Sequence, residues 1–158
     1  MPSVALKLSY YATRLLALVI IFLWLAILPT AAAGNDSGLS RVLSLSVSGA
    51  RLWAEVADTD ETRRRGLSHR QHLSAEAAML LVFDRPRVAC LWMRDVHFAV
   101  DAAFIDDQGI VIGMAQMLPQ TTRLHCSPQL ARYALEVNAG WFHAHHVNIG
   151  ASVMGLPR

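Results

Sequence analysis

The sequence is poor in cysteine and lacks the motifs of several common catalytic classes. It has 2 cysteines in 158 residues, and they do not have the Cys-x-x-Cys spacing of a redox pair. No nucleophile elbow around a serine, no Ser/His/Asp order and no glycine-rich phosphate loop is present. These absences argue against disulfide oxidoreductases, serine hydrolases and P-loop nucleotide-binding proteins.

The sequence also lacks a large excess of positive or negative charge. The chain has 14 Lys and Arg against 12 Asp and Glu. Lys7 and Arg14 lie in an N-terminal segment that we expect to be removed, which leaves the remainder formally neutral. Because nucleic-acid-binding proteins are expected to carry a concentrated basic surface, no nucleic-acid partner is predicted. The length predicts one domain, without internal repeats or low-complexity segments.

The long hydrophobic run at the N-terminus has the organisation of a secretory signal peptide. Lys7 and Arg14 precede an apolar run over residues 15–28, and three alanines follow at 31–33. A positive region, a short apolar core and a small-residue exit are typical of signal peptides. No cysteine follows the run directly, which excludes a lipoprotein anchor. We expect cleavage after Ala33 and a periplasmic or otherwise extracytoplasmic protein.

Retention of the same segment as an inner-membrane anchor is the alternative. The apolar run is shorter than the roughly 20 residues of a spanning helix, but an anchor over residues 10–28 would include its polar flank. No other contact with a membrane is expected. The chain therefore divides into a signal segment over 1–33, a flexible leader over 34–41 and a single β-rich domain over 42–158.

Both cysteines belong to the exported domain. An oxidising compartment permits a disulfide between Cys90 and Cys126. In the chain-entropy model, a loop of this length stabilises the fold by about 3–4 kcal/mol. We predict that the disulfide forms, and two unpaired thiols are the alternative.

Short strands separated by turn signals predict a mainly-β domain. Apolar and polar residues alternate over 43–48, which is typical of a strand with one buried face. Residues 51–56 complete a hairpin with it, and the apolar run at 79–83 predicts a strand buried on both faces. Further strands are predicted over 88–93, 98–105, 110–117, 131–137 and 147–153. This pattern indicates a compact antiparallel sandwich or barrel with one or two short helices.

A short helix is predicted between Thr59 and Gly66. Thr59 is a suitable N-cap, and Gly66 suits a left-handed helix stop. Arg63, Arg64 and Arg65 lie near the negative end of this helix, where their charge is favourable. They either bind an anionic ligand or complete a solvated helix face, and their position favours the second interpretation. Residues 141–146 predict one further helical turn.

Several motifs occur in the order found in a known family. In chain order they are Arg65-Gly66-Leu67, Met79-Leu80-Leu81-Val82-Phe83, Leu91-Trp92-Met93-Arg94, Asp101-Ala102-Ala103-Phe104-Ile105-Asp106, Arg132-Tyr133-Ala134-Leu135-Glu136 and Gly140-Trp141. From about Leu43 to Val153 the chain closely resembles the domain of unknown function 192 family, which comprises small exported bacterial and archaeal domains. The resemblance implies a compact β-rich domain and no established reaction.

The chain departs from the usual pattern of that family at polar positions. The family usually has Trp-Met-Lys-Asn-Thr, where this chain has Arg94, Asp95 and Val96 after the Trp-Met pair. Asp95 replaces an amide by a carboxylate, and Val96 lacks the hydroxyl. Ala151 stands where the family usually has Asp. If these groups form a site throughout the family, its chemistry is altered here.

Trp92, Arg94, Asp95 and Asp101 form the best candidate site. A strand over 88–94 would direct Trp92 and Arg94 to one face. A tryptophan beside a cation and a carboxylate suits a polar ligand with an apolar face, such as a sugar ring. The alternative is a structural latch, in which a buried Arg94–Asp101 pair joins two strands and Trp92 belongs to the core.

Arg65 and Glu136 complete the set of ligand-binding or latch candidates. Glu136 resembles Asp101 as a carboxylate within a strand, and the two would form a hydrolytic pair if they faced one cleft. The i, i+3 histidine pairs, His69 with His72 and His143 with His146, lack a third convergent ligand. No metal site and no cofactor are therefore predicted.

These features favour an exported domain that binds a partner rather than transforms a substrate. The first hypothesis is a module of the cell envelope that binds a small molecule or saccharide. The second is an envelope accessory protein that acts through protein contacts, for which exposed apolar surface would be the sign. The third is a hydrolase that uses Asp101 and Glu136.

Overall fold

The computed structural model describes residues 41–158. The predicted signal segment at 1–33, its cleavage site, the alternative anchor and the leader up to residue 40 lie outside the described residues. The secondary structure of the described part is mainly β, with the following elements: β1 (Val42–Val47), β2 (Ala50–Ala57), α1 (Asp60–Arg65), β3 (Ala77–Arg87), β4 (Cys90–Leu91), β5 (Val100–Ile105), β6 (Val111–Met117), β7 (His125–Cys126), β8 (Ala131–Asn138), α2 (Trp141–Ala144) and β9 (Val153–Met154).

Seven strands form one curled sheet, a half-barrel with the order β6-β5-β8-β3-β2-β1-β9. Neighbouring strands are antiparallel, except that β2 and β3 are parallel. A parallel pair requires a long crossover connection, and here the connection contains α1. The predicted mainly-β fold with two short helices is confirmed. The antiparallel arrangement expected from the sequence does not extend to β2 and β3, because the relative direction of two strands depends on the path of their connection and not on the local residue pattern.

Both faces of the sheet are covered by apolar side chains, since alternate residues of a strand point to opposite faces. In β3, Leu80 belongs to one buried cluster and Met79 to the other. Trp141 covers the first face, which we call the α2 face. Leu67 and Leu91 cover the second, which we call the α1 face. The fold therefore places α1 and the β4 region over the same side of the sheet.

The local signals for the first hairpin and the first helix are confirmed. Ser48 and Gly49 have positive φ angles of 51° and 85° between β1 and β2, as tight hairpin turns require. The Thr59 side chain accepts a hydrogen bond of 3.1 Å from the backbone N–H of Thr62. Gly66 ends the helix with a φ of 46°, although its ψ of −131° is not that of a left-handed helix.

The apolar run at 79–83 is buried on both faces, as predicted, and β3 continues beyond it through exposed residues to Arg87.

Two other predicted strands are shorter than the sequence indicated. The strand predicted over 88–93 is confined to Cys90–Leu91, and the one over 147–153 reduces to β9. Apolar character alone does not make a strand, because a strand also needs a paired neighbour. The only pairing of β4 among residues 41–158 is with the two-residue β7.

Candidate functional site

The predicted disulfide is present and fixes the segment that carries Trp92. Cys90 and Cys126 are bonded, with their Cα atoms 4.0 Å apart. The two cysteines are directly opposite each other in the β4–β7 pair. Leu91, the next residue, is buried in the cluster of the α1 face. The disulfide and this apolar contact together hold the start of the segment 89–96 against the sheet.

A cavity of about 320 Å³ lies between this segment, α1 and the sheet. Arg63, Arg64 and Arg65 line it from the last turn of α1, Trp92 lines it from the opposite side, and Glu136 lines it from β8. We call this cavity the Glu136 pocket. It brings together three residues of the predicted set, namely Arg65, Trp92 and Glu136.

Glu136 is the most unusual ionisable group of the pocket. It is directly opposite Met79 and Ala102 in the neighbouring strands, so it lies on the apolar α1 face. Only 6% of the residue is exposed, and its Oε2 atom is buried without a hydrogen-bond partner among the described residues. Burial raises the pKa of Glu136 from 4.5 to about 7, because desolvation disfavours the charged form. Below that pH the carboxyl group is a neutral hydrogen-bond donor.

The first of the three arginines of α1 is a structural clamp. Arg63 has a side chain that is 11% exposed. Its Nη1 atom donates to the backbone oxygens of Asp58 at 2.5 Å and Val82 at 2.7 Å. Its Nη2 atom pairs with Asp60 at 2.7 Å. These contacts connect α1 to β3 and fix the wall of the pocket.

The other two arginines are more accessible. Arg64 is exposed and lines the pocket. Arg65 also lines it, and its Nη2 atom pairs with Glu61 one helical turn earlier at 2.8 Å. The exposed i, i+4 pair contributes little to stability. The arginine run therefore serves two purposes, since Arg63 positions the helix while Arg64 and Arg65 present positive charge at the pocket.

Replacing Arg63 by Ala is expected to lower the free energy of unfolding by about 2 kcal/mol, since hydrogen bonds from a charged donor are worth about 1.5–3 kcal/mol. The neighbouring Arg64→Ala is the matched control and should change it by less than about 0.5 kcal/mol. Urea unfolding followed by tryptophan fluorescence measures both values. Equal effects of the two substitutions would contradict the clamp.

Trp92 is at the surface rather than in the core. The residue is 49% exposed, and the guanidinium of Arg94 lies 5.5 Å from the centroid of its ring. This is a cation–π contact. Arg94 and Asp95 are both exposed in the turn after Trp92, and Asp95 has a positive φ of 61°. Neither Arg94 nor Asp95 lines the Glu136 pocket.

Asp101 lies on the opposite side of the sheet. It is directly opposite Val137 on β8, so its side chain lies on the α2 face, whereas Glu136 lies on the α1 face. Its Oδ2 atom accepts a hydrogen bond of 2.7 Å from the backbone N–H of Gly140. Its Oδ1 atom is buried without a partner among residues 41–158. Asp101 therefore holds the chain at the start of α2 and has no access to the Glu136 pocket.

Two predicted arrangements are therefore wrong. The buried Arg94–Asp101 latch does not form, because the strand ends at Leu91 and Arg94 turns into solvent while Asp101 stays buried. The hydrolytic pair of Asp101 and Glu136 does not form either, because the two carboxylates are on opposite faces of the sheet. Asp101 points to the same face as Val137, the residue opposite it on β8. Glu136 precedes Val137 and points to the other face, because successive residues of a strand alternate.

The sequence pattern does not distinguish Glu136 from Asp101. Each is a carboxylate within an apolar run, which for Glu136 is the run Tyr133–Val137.

In the described range 41–158, no group of three or more His, Cys, Asp or Glu side chains converges on a possible metal position. Within the same range, no helix has both the length and the hydropathy needed to cross a membrane.

Comparisons with known proteins agree with this fold and name no reaction. The family model DUF192, described as Uncharacterized ACR, matches residues 43–155. A crystal structure from Sinorhizobium meliloti, provisionally described as a transcription regulator, has 25% identity and a TM-score of 0.71, and the match covers 73% of this chain and 94% of that one. A protein of unknown function from Novosphingobium aromaticivorans has 25% identity and a TM-score of 0.70, with 77% and 90% covered. No curated protein matches the chain.

Proposed function

The chain belongs to the uncharacterised DUF192 family, and we propose that this member binds a small polar molecule of the saccharide class in the Glu136 pocket. The observation that carries the proposal is the buried carboxyl group of Glu136, whose Oε2 atom has no partner in the described part of the chain. A buried polar atom without a hydrogen bond costs about 1–3 kcal/mol. A hydroxyl group of a bound ligand would provide that hydrogen bond.

The walls of the pocket fit a ligand that is polar at its edge and apolar on one face. Trp92 offers an exposed aromatic surface, and Leu81 and Phe83 add apolar contacts. Arg64 and Arg65 of α1 provide hydrogen-bond donors around the opening. The volume of about 320 Å³ is at the lower end of the range of about 300–1,000 Å³ for ligand sites. A single sugar ring has the matching size and amphipathic shape.

We further propose that the domain functions outside the cytoplasm, in the cell envelope. The signal-peptide pattern over residues 1–33 supports export. The disulfide between Cys90 and Cys126 is consistent with it, since such bonds persist mainly in oxidising compartments. A nucleic-acid partner is not proposed, because the chain beyond the signal segment is formally neutral.

Trp92→Ala is expected to weaken sugar binding at least about tenfold, which corresponds to about 1.4 kcal/mol, because the ring supplies the apolar wall. The matched control is Trp53→Ala, which removes another half-exposed tryptophan that is not among the lining residues. Protein produced from the full-length chain is titrated with glucose, galactose, N-acetylglucosamine and galacturonate, and binding is followed by saturation-transfer NMR. Equal weakening by both substitutions would place the ligand elsewhere.

Absence of binding for all of these sugars would overturn the saccharide proposal. The function through protein contacts would then be the better candidate. It is favoured by large apolar side chains that are more than half exposed, of which Trp53, Val88, Leu118, Leu124 and Leu130 are examples. Exposed apolar surface of this kind is typical of protein interaction sites when it is contiguous.

A further inference from the structure

We infer that the ligand of the Glu136 pocket is an acidic sugar, a hexose ring that bears a carboxylate, and that it binds with one proton held between this carboxylate and Glu136. The inference rests on the proposed function and names the ligand class of the same site. It follows from the charges at the rim of the pocket and from the environment of its floor.

The rim of the pocket is positively charged. Arg63, Arg64 and Arg65 of α1 and Arg87 of β3 line it, and Asp60 is the only carboxylate of this lining apart from Glu136. Arg63 is already engaged with backbone oxygens and with Asp60. Arg64 and Arg87 are exposed, so their charges face an incoming ligand. A field of this sign attracts anions and disfavours cationic sugars, and arginine is well suited to hold a carboxylate.

The floor of the pocket is apolar apart from Glu136. Met79 and Ala102 are its direct neighbours across the sheet, and both are fully buried. The start of the segment 89–96 adds no titratable group to the lining, because Cys90 is in the disulfide. A ligand carboxylate next to an ionised Glu136 would be repelled in this environment. Two adjacent carboxyl groups that share one proton avoid this repulsion.

The shared proton gives binding a defined pH dependence. The raised pKa of Glu136, about 7, means that free Glu136 is largely protonated in mildly acidic solution. The protonated form donates its O–H to the ligand carboxylate, and the ionised form does not. Affinity for an acidic sugar should therefore be highest at low pH and fall as the pH rises through about 7. From about pH 6 to pH 8 the apparent dissociation constant should rise about tenfold.

The test compares galacturonate with galactose, which differ in the carboxylate. Isothermal titration is performed at about pH 6 and pH 8 with protein produced from the full-length chain. We expect galacturonate to bind at least about tenfold more tightly than galactose at the lower pH, and only galacturonate to lose affinity at the higher pH. Galactose should bind equally at both pH values, since it has no charge that must share a proton.

Two variants assign the effect to the pocket. Glu136→Gln keeps a hydrogen-bond donor but does not titrate, so galacturonate should still bind and its pH dependence should disappear. Arg64→Gln should weaken galacturonate several-fold more than it weakens galactose, because only the acidic sugar loses the attraction between its carboxylate and the Arg64 charge. Arg51→Gln is the matched control, since Arg51 is exposed on β2 and is not among the lining residues.

The possible failures are distinguishable. Binding of galactose that equals that of galacturonate, or the same pH dependence in wild type and Glu136→Gln, overturns the acidic-sugar inference while the saccharide proposal stands. Tighter binding of galacturonate at the higher pH overturns it as well. If neither sugar nor any other member of the panel binds, the proposed function fails, and this inference fails with it.

Discussion

Glu136→Gln is expected to make the protein more stable than wild type by about 3 kcal/mol at pH 9, and to lose this advantage at about pH 4. The magnitude follows from the pKa of Glu136, which burial raises from 4.5 to about 7. A difference of one unit in pKa between the folded and unfolded states corresponds to about 1.36 kcal/mol. Glutamine has nearly the same shape and does not ionise, so it avoids the cost of a buried charge.

The direction of the effect follows from proton binding. A carboxyl group with a raised pKa binds its proton more tightly in the folded protein than in the unfolded chain. Between about pH 4.5 and pH 7 the folded state therefore holds more protons, and wild-type stability falls as the pH rises through this window. Above the window the full cost remains. The titration of Glu136 adds no such cost below it, because the carboxyl group is neutral in both states.

Urea unfolding at a series of pH values measures the difference between wild type and Glu136→Gln. Subtracting the two curves removes the titration of all other groups, which are common to both proteins. The exposed Glu76 provides the control, since Glu76→Gln should give a difference that does not change with pH. A difference between wild type and Glu136→Gln that is also independent of pH would show that Glu136 is not buried as described.

Removal of the disulfide is expected to lower the free energy of unfolding by about 3–4 kcal/mol, because the bond closes a loop between residues that are 36 positions apart. For a domain of this size the melting temperature should fall by roughly 10–15 °C. The double variant Cys90→Ser with Cys126→Ser is suitable, since both cysteines are exposed and serine creates no cavity. The two-residue strands β4 and β7 depend on this bond more than the long strands do.

Calorimetry of the double variant and of reduced wild type should give the same melting temperature. A reductant should have no further effect on the double variant, which separates loss of the bond from other effects of the reductant. Because Cys90 and Trp92 both line the Glu136 pocket, the double variant should also bind sugars more weakly. A melting temperature unchanged by reduction would contradict the stabilising role of the bond.

The results for Glu136→Gln and for removal of the disulfide would together show that Glu136 lowers the stability of the domain and that the disulfide raises it. The buried carboxyl group of Glu136 weakens the fold above neutral pH, and the disulfide at the same pocket offsets a loss of similar size. Such an exchange of stability for binding or activity is common in proteins. It also gives a reason for a covalent bond between two of the shortest strands in a domain with a large apolar sheet.

Much of the fold could be predicted from the sequence because the signals are local. The alternation over residues 43–48 and the turn residues after it specify the first hairpin. Thr59 and Gly66 specify where α1 begins and ends. The apolar run at 79–83 indicates a strand covered on both faces, and the two cysteines have one possible intrachain bond. The hairpin, the helix ends and the apolar strand each depend on a few neighbouring residues, and the disulfide follows from the number of cysteines.

The site was decided by the tertiary structure. Asp101 and Glu136 give the same signal in the sequence, a carboxylate in an apolar strand. Strand pairing then places Asp101 on the α2 face and Glu136 on the α1 face. The crossover between the parallel strands β2 and β3 carries the arginines of α1 over the face of Glu136. Alternation defines the two faces of a strand, but which face meets a distant helix depends on long-range packing, and this contact makes the pocket.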